Sequence, residues 1–111
     1  MFICNAFSLQ MLGHPNSLVL TKPLTKDQVK KLVANGTGLV SAIGHADTAA
    51  VVSSDLGLEL LANRANVKLL DGEKMIVAQF TGGRLPEGST TLPEGIELTY
   101  LLVRVYYPTL D

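Results

Sequence analysis

Two histidines are the side chains of this sequence suited to moving protons near neutral pH, and their settings differ. His14 precedes Pro15 in the turn cluster Gly13-His14-Pro15-Asn16-Ser17 and reads as a solvated loop residue. His45 follows Gly44 at the start of a predicted helix. Unpaired N–H groups and a partial positive charge at such an end suit a phosphate or other anion. An imidazole there can protonate a leaving oxygen, or it can simply cap or pack the helix end; position alone leaves both readings open. Arg64 follows Asn63, and Arg84 opens Arg84-Leu85-Pro86-Glu87-Gly88. Arginine pairs with phosphate in a fork geometry, so both are candidate anion clamps as well as ordinary surface charges.

Other chemistries lack their residues. Two separated histidines, a single cysteine (Cys4) and no clustered carboxylates make no metal-ligand set, so no metal or cofactor is expected. Cys4 alone forbids an internal disulfide. Ser8, Ser53 and Ser54 lack a Gly-x-Ser-x-Gly elbow, and Gly36-Thr37-Gly38 lacks the later glycine or lysine of a phosphate loop.

The elements that must hold these residues can be read from pattern. Phe2-Ile3-Cys4 and Leu18-Val19-Leu20 are short strands. Thr25 and Gln28 form a capping box, Leu24 and Val29 sit at the staple positions, and Asn35-Gly36 is a stop, which predicts a helix over 26–35. A second helix, rich in alanine and serine, is predicted from His45 or Ala46 to about Asp55, ended by Gly57. Asp47 and Thr48 fall in its first turn, where acceptors for free N–H groups are favoured. Val67 to Leu70 and Lys74 to Phe80 flank Asp71-Gly72 and predict a β-hairpin. Tyr100 to Tyr107 predicts a long strand, central or facing a dimer partner, in which Arg104 faces solvent or pairs across a sheet edge or dimer contact. Residues 81–95, rich in Gly, Pro and Thr, predict a long loop of the kind that often carries function.

The chain has 111 residues, 47% apolar and 17% charged, with a formal charge of −1. That length suits one domain over 1–111, able to bury about two-thirds of its unfolded surface. The balance is too apolar for disorder and too neutral for a duplex-DNA binder. The N-terminus has no basic region or long apolar run, and nothing approaches a membrane span of about 20 residues. The expectation is a soluble protein of a reducing compartment. Pattern alone supports a small α+β domain.

Asn5-Ala6-Phe7-Ser8-Leu9-Gln10-Met11-Leu12, Gly44-His45 with Thr48, Asn63-Arg64, and Arg84-Leu85-Pro86-Glu87-Gly88 together resemble the viral type III anti-CRISPR ring nuclease family, which also has host-encoded members. The resemblance runs from residue 1 to about 107. It implies a homodimer, each protomer a mixed β-sheet with helices packed on it, with a ligand cleft at the dimer interface. It implies metal-independent cleavage of cyclic tetra-adenylate to linear di-adenylate, which switches off type III CRISPR signalling from the cytoplasm (the host's, for a virus-encoded chain). It makes His45 the catalytic residue. Arg84 and Glu87 then bind and orient the ring, joined by Asn5, Ser8, Gln10, Thr48, Arg64 and Gln79. Two departures stand out: Gln10 lies where the family pattern has asparagine, and the segment after Gly88 is shorter than in relatives with a C-terminal helix.

The residues are compatible with that chemistry. A ribose 2′-hydroxyl attacks the adjacent phosphate, and the departing 5′-oxygen takes a proton from a histidine beside it. Arg64 and Arg84 of two protomers would place four positive charges around one cleft, a local effect that a net charge of −1 does not forbid. The alternative function is a non-catalytic protein that sequesters cyclic oligoadenylate. A third reading, a virion-associated or nucleic-acid-binding dimer, has the acidic balance against it.

Overall fold

The computed structural model describes residues 1–36 and 38–109; Thr37, of the Gly36-Thr37-Gly38 tripeptide, lies outside them. Among the described residues, five strands and two α-helices follow one another in the order β1 (Phe2–Cys4), β2 (Leu18–Leu24), α1 (Lys26–Ala34), β3 (Val40–Ser41), α2 (Ala46–Leu56), β4 (Lys74–Thr81) and β5 (Glu97–Tyr106). They form one mixed sheet in the order β2-β5-β4-β1-β3. β1 runs parallel to both β3 and β4, whereas β5 is antiparallel to both β4 and β2. The expected small α+β domain with a mixed sheet is therefore what the chain forms.

Alternation along the strands sorts their side chains between two faces. Ile3, Ile76, Ala78 and Tyr100 face the helices and pack against Val29 of α1 and Ala49, Val52 and Leu56 of α2. Cys4, Met75, Val77, Val103 and Val105 point the other way. No α-helix among the described residues covers that second face; Phe7, Met11, Leu12, Val67 and Leu69 close it from loops and a short 3-10 turn. Ile3 and Ile76 are fully buried, as the interior of such a sheet requires. No helix among the described residues is long and apolar enough to cross a membrane.

Local chemistry sets the helix ends as expected. Thr25 accepts from the Gln28 N–H at 3.1 Å while the Gln28 side chain accepts from the Thr25 N–H at 2.8 Å. Leu24 and Val29 then both reach the helix-side core, completing the staple. α2 ends at Gly57, whose φ of 66° is the left-handed turn that glycine adopts without a Cβ clash. β2 is longer than the predicted Leu18-Val19-Leu20 and carries Pro23, which an edge strand tolerates because one side of its backbone faces no partner.

The predicted hairpin around Asp71-Gly72 does not form. β4 has β1 on one side and β5 on the other, so no edge is left for residues 67–70. That segment instead crosses the sheet's second face, where Val67 and Leu69 are buried and the Leu69 N–H donates to the Met11 carbonyl at 2.8 Å. The Asp71-Gly72 turn is real but docks on the end of β5. The Gly72 N–H donates to the Val105 carbonyl, and Asp71 Oδ1 accepts from the Tyr107 N–H, both at 2.8 Å. Arg104 is half-buried there, donating from Nε to the Gly72 carbonyl with its guanidinium 5.0 Å from the Tyr106 ring centre. Within the chain its guanidinium is thus met by the turn carbonyl and the Tyr106 ring rather than facing open solvent. β3, too short to show in the sequence pattern, and the 3-10 turn Leu9–Met11 are additional elements.

α2 is tied to the sheet by a polar contact within its apolar surroundings. The Tyr100 hydroxyl donates to Asp55 Oδ2 at 2.7 Å, and Asp55 also lies 3.5 Å from Lys26 Nζ on α1. Burial, then the hydrogen bond to Asp55 and its negative charge, push the Tyr100 phenol well above its ordinary range. Burial likewise pushes the Cys4 thiol up. Both groups are raised in the folded state, so their contribution to stability is complete below the unfolded values, about 8.5 for cysteine and about 10 for tyrosine. It is lost as pH climbs beyond those values toward the folded ones. Urea unfolding followed across alkaline pH should therefore show stability falling above about pH 8.5. Tyr100→Phe should cost about 1–2 kcal/mol at neutral pH, by stranding the Asp55 carboxylate, and should flatten the upper part of that loss.

Candidate functional site

The parallel pairing of β1, β3 and β4 brings their carboxyl ends to one edge of the sheet. The segments that leave those ends are Asn5 after β1, Gly44-His45 after β3 and Gly83-Arg84 after β4. α2 begins at the same edge, so its free N–H groups open there. A cleft of about 570 Å³ lies between these segments, lined by His45, Asn5, Thr48, Asp47, Arg84 and Glu87 together with Phe80, Gly83 and Leu85. Ligand sites of sheets with parallel strands commonly sit outside the strands' carboxyl ends, at the start of a helix.

His45 occupies the N-cap position in an extended conformation, with φ −116° and ψ 132°. Its side chain makes no capping hydrogen bond, and the residue is exposed. Within the chain itself the side chain thus neither caps the helix nor packs in the core, and the imidazole stands exposed at the cleft. Thr48 is half-buried one turn into α2. Arg64 does not line the cleft but reaches its rim, with Nε 3.4 Å from the Gly44 carbonyl oxygen. Asn63 holds it there, donating from its side chain to the Ser41 carbonyl and from its backbone to the Ile43 carbonyl, each at 2.7 Å.

Arg84 and Glu87 ride on the long loop between β4 and β5, where the sequence predicted one. The neck of this loop is narrow. Gly82 has φ +95° and passes so close to Gly95 that a Cβ there would collide with the Gly95 carbonyl oxygen. The turn itself is closed by the Ser89 N–H donating to the Pro86 carbonyl at 3.1 Å.

The remaining candidates lie apart. Gln79 is exposed and lines an adjoining cleft of about 530 Å³ with Phe7, Thr21, Val77, Leu101 and others, which meets the first at Asn5 and Phe80. Ser8 and Gln10 line a third depression with Met11, Val67 and Lys68, on the far side of the Asn5–Phe7 segment in sequence. Ser8 caps the Leu9–Met11 turn, accepting from the Gln10 N–H at 3.3 Å. The single chain thus gathers Asn5, His45, Thr48, Arg84 and Glu87 in one cleft, with Arg64 bonded to Gly44 beside it, and leaves Gln79, Ser8 and Gln10 outside it. Sequence reasoning placed Asp47 only as a helix-turn acceptor and did not find Phe80; no spacing marks a strand-end aromatic as a cleft wall.

These features define a small α+β domain with a polar cleft at a helix N-terminus. The chain belongs to the STIV B116-like family, whose model matches residues 1–103. It is similar in structure to B116 of Sulfolobus turreted icosahedral virus, with a TM-score of 0.73 and 27% identity over 92% of this chain and 96% of that one. It is 29% identical over 76 residues to uncharacterized protein 26 of Sulfolobus islandicus filamentous virus (isolate Iceland/Hveragerdi). That match covers 68% of this chain and 64% of the relative, short of two-thirds of the relative's length. Both matched proteins are viral.

The loop neck supplies a direct check on how the cleft is held. Gly82→Ala forces both a strained φ and a backbone collision, and should destabilise the fold by about 1–3 kcal/mol. Limited proteolysis should cut the variant first within residues 82–96, with helical circular dichroism unchanged.

Proposed function

We propose that this protein is a metal-independent ring nuclease that binds cyclic tetra-adenylate and cleaves it to linear di-adenylate, switching off type III CRISPR signalling. The observation that carries the reading is the meeting, in one cleft, of His45, Arg84, Glu87, Asn5 and Thr48 from three separate stretches of chain. A free imidazole, a guanidinium and a helix N-terminus are the parts that a metal-free attack on a phosphodiester uses.

In the proposed reaction a ribose 2′-oxygen forms a bond to the adjacent phosphorus and the bond from phosphorus to the 5′-oxygen breaks. The 2′-hydroxyl proton passes to solvent, and the His45 imidazolium gives its proton to the departing 5′-oxygen. The helix N–H groups, Arg84 and Arg64 face the charge that builds on the phosphoryl oxygens. Glu87 and Asn5 offer acceptors and donors to ribose hydroxyls and base edges. In a two-fold dimer the two His45 side chains would stand on opposite sides of a four-fold ring, and two cuts release two dinucleotides. Such a homodimer would also be what brings Ser8, Gln10 and Gln79 of either chain toward a shared ligand.

The test is incubation with cyclic tetra-adenylate in excess EDTA, wild type beside His45→Ala, with products resolved by chromatography. Linear di-adenylate from the wild type, formed about 10²–10⁴ times more slowly by the variant, is the expected result. An intact ring retained on the wild-type protein would make it a sequestering protein, and an intact ring left free in solution would remove the ligand altogether.

A further inference from the structure

We propose that Asp47 is a positioning residue that holds the Arg84–Gly88 turn over the cleft and so fixes the geometry with which Arg84 and Glu87 meet a bound phosphodiester. For its ligand this rests on the function proposed above; for the turn itself it rests on the fold alone.

Asp47 is the second residue of α2, where a carboxylate ordinarily turns back onto the free N–H groups of its own helix. Here Oδ2 instead accepts from the Gly88 N–H at 2.8 Å, across 41 residues of sequence. Gly88 directly follows Glu87 and belongs to the turn that the Pro86 carbonyl and the Ser89 N–H close. The other hydrogen bonds of this loop among the described residues, Ser89 to Pro86 and Ile96 to Pro93, are internal to it. The neck at Gly82 and Gly95 fixes where the loop leaves the sheet, but it cannot fix the far turn, several residues away. That turn is anchored to the helix side of the cleft by Asp47. A carboxylate acceptor makes this bond stronger than a neutral one would be. Arg84 and Glu87, two exposed long side chains with no hydrogen bond or ion pair to Asp47 among the described residues, gain a defined base from it.

The distinction from a merely structural role lies in the conservative variant. Asn at position 47 keeps an acceptor for the Gly88 N–H and loses the charge, whereas Ala loses both. Asp27, in the first turn of α1, supplies the control, because Asp27→Ala removes the same helix-end charge with no loop beside it.

Amide exchange at Gly88, read by NMR on the free protein, should accelerate roughly tenfold in Asp47→Ala and return to within about threefold of wild type in Asp47→Asn. Asp27→Ala should leave it unchanged. In the cleavage assay, Asp47→Ala should raise KM for cyclic tetra-adenylate roughly tenfold with a smaller change in kcat, and Asp47→Asn should restore KM. Unchanged Gly88 exchange in Asp47→Ala, an equal acceleration in Asp27→Ala, or no rescue by asparagine would each overturn the proposal. So would faster exchange with KM unmoved. A wild type that neither binds nor cleaves the ring defeats the functional reading alone, and Gly88 exchange still decides what Asp47 holds.

Discussion

The three-residue strand β1 is the constraint on which the rest of the structure depends. It pairs in parallel with β4 through Phe2, Ile3 and Cys4, and with β3 through Phe2 and Ile3. Parallel strands cannot be joined by a tight hairpin, so each return must pass through a crossover long enough to hold a helix. That is why α2 lies between β3 and β4, and why its N-terminus opens at the edge where three strands end. The position of His45 follows from this topology. It is the last residue before the helix, at the end of the loop that the short β3 delivers. Were β1 paired antiparallel, the carboxyl ends would fall on opposite edges, and Asn5, His45 and Arg84 could not share a cleft.

The two faces of the sheet are covered by different means, and the difference matters for the site. Helices cover one face, and the capping box, the staple and the contact between Tyr100 and Asp55 fix them to it. Irregular chain covers the other, with Phe7, Met11, Leu12, Val67 and Leu69 supplying the apolar surface that a helix would otherwise give. Irregular cover must satisfy its own backbone groups, which explains the run of specific bonds through Leu69, Gly72, Tyr107 and Asn63. Asn63 shows the economy of this arrangement. By bonding to the Ser41 and Ile43 carbonyls it ties the segment after α2 to the end of β3 and also sets Arg64 beside Gly44.

Features decided by neighbours in sequence were legible before the fold was known. Thr25 with Gln28, Leu24 with Val29, and Gly57 each act within a few residues, and each does what its type and spacing imply. The position of His45 at a helix start was legible for the same reason. What the pattern could not convey was competition for edges. Val67 to Leu70 has the composition of a strand and is followed by a good turn, yet β4 had already been taken on both sides. β3 pairs over only two residues, too few to leave an alternation. Phe80, Asp47 and the meeting of loop and helix depend on contacts across about 40 residues, which no local signal encodes.

The charges of the cleft set a demand on any anion it takes. Within the single chain its lining carries one guanidinium, Arg84, against two carboxylates, Asp47 and Glu87. If the cleft takes a phosphodiester, as the proposed function has it, net attraction does not explain the recognition; a field of that sign would repel a polyanion at long range. Recognition has to be short-range, through N–H groups of the α2 end, the fork of Arg84 and the Arg64 guanidinium at the rim. Short-range recognition is only as good as the placement of its donors. The two carboxylates are consistent with that requirement and not with steering, since Asp47 is committed to the Gly88 N–H and so serves placement. Glu87 is left as the acceptor free to face a hydroxyl or an amino group. An acceptor of that kind has no use for a phosphodiester group by itself, which carries no proton to donate near neutral pH. Under the proposed function, its counterpart is therefore a donor on the ribose or base that a nucleotide carries beside its phosphate.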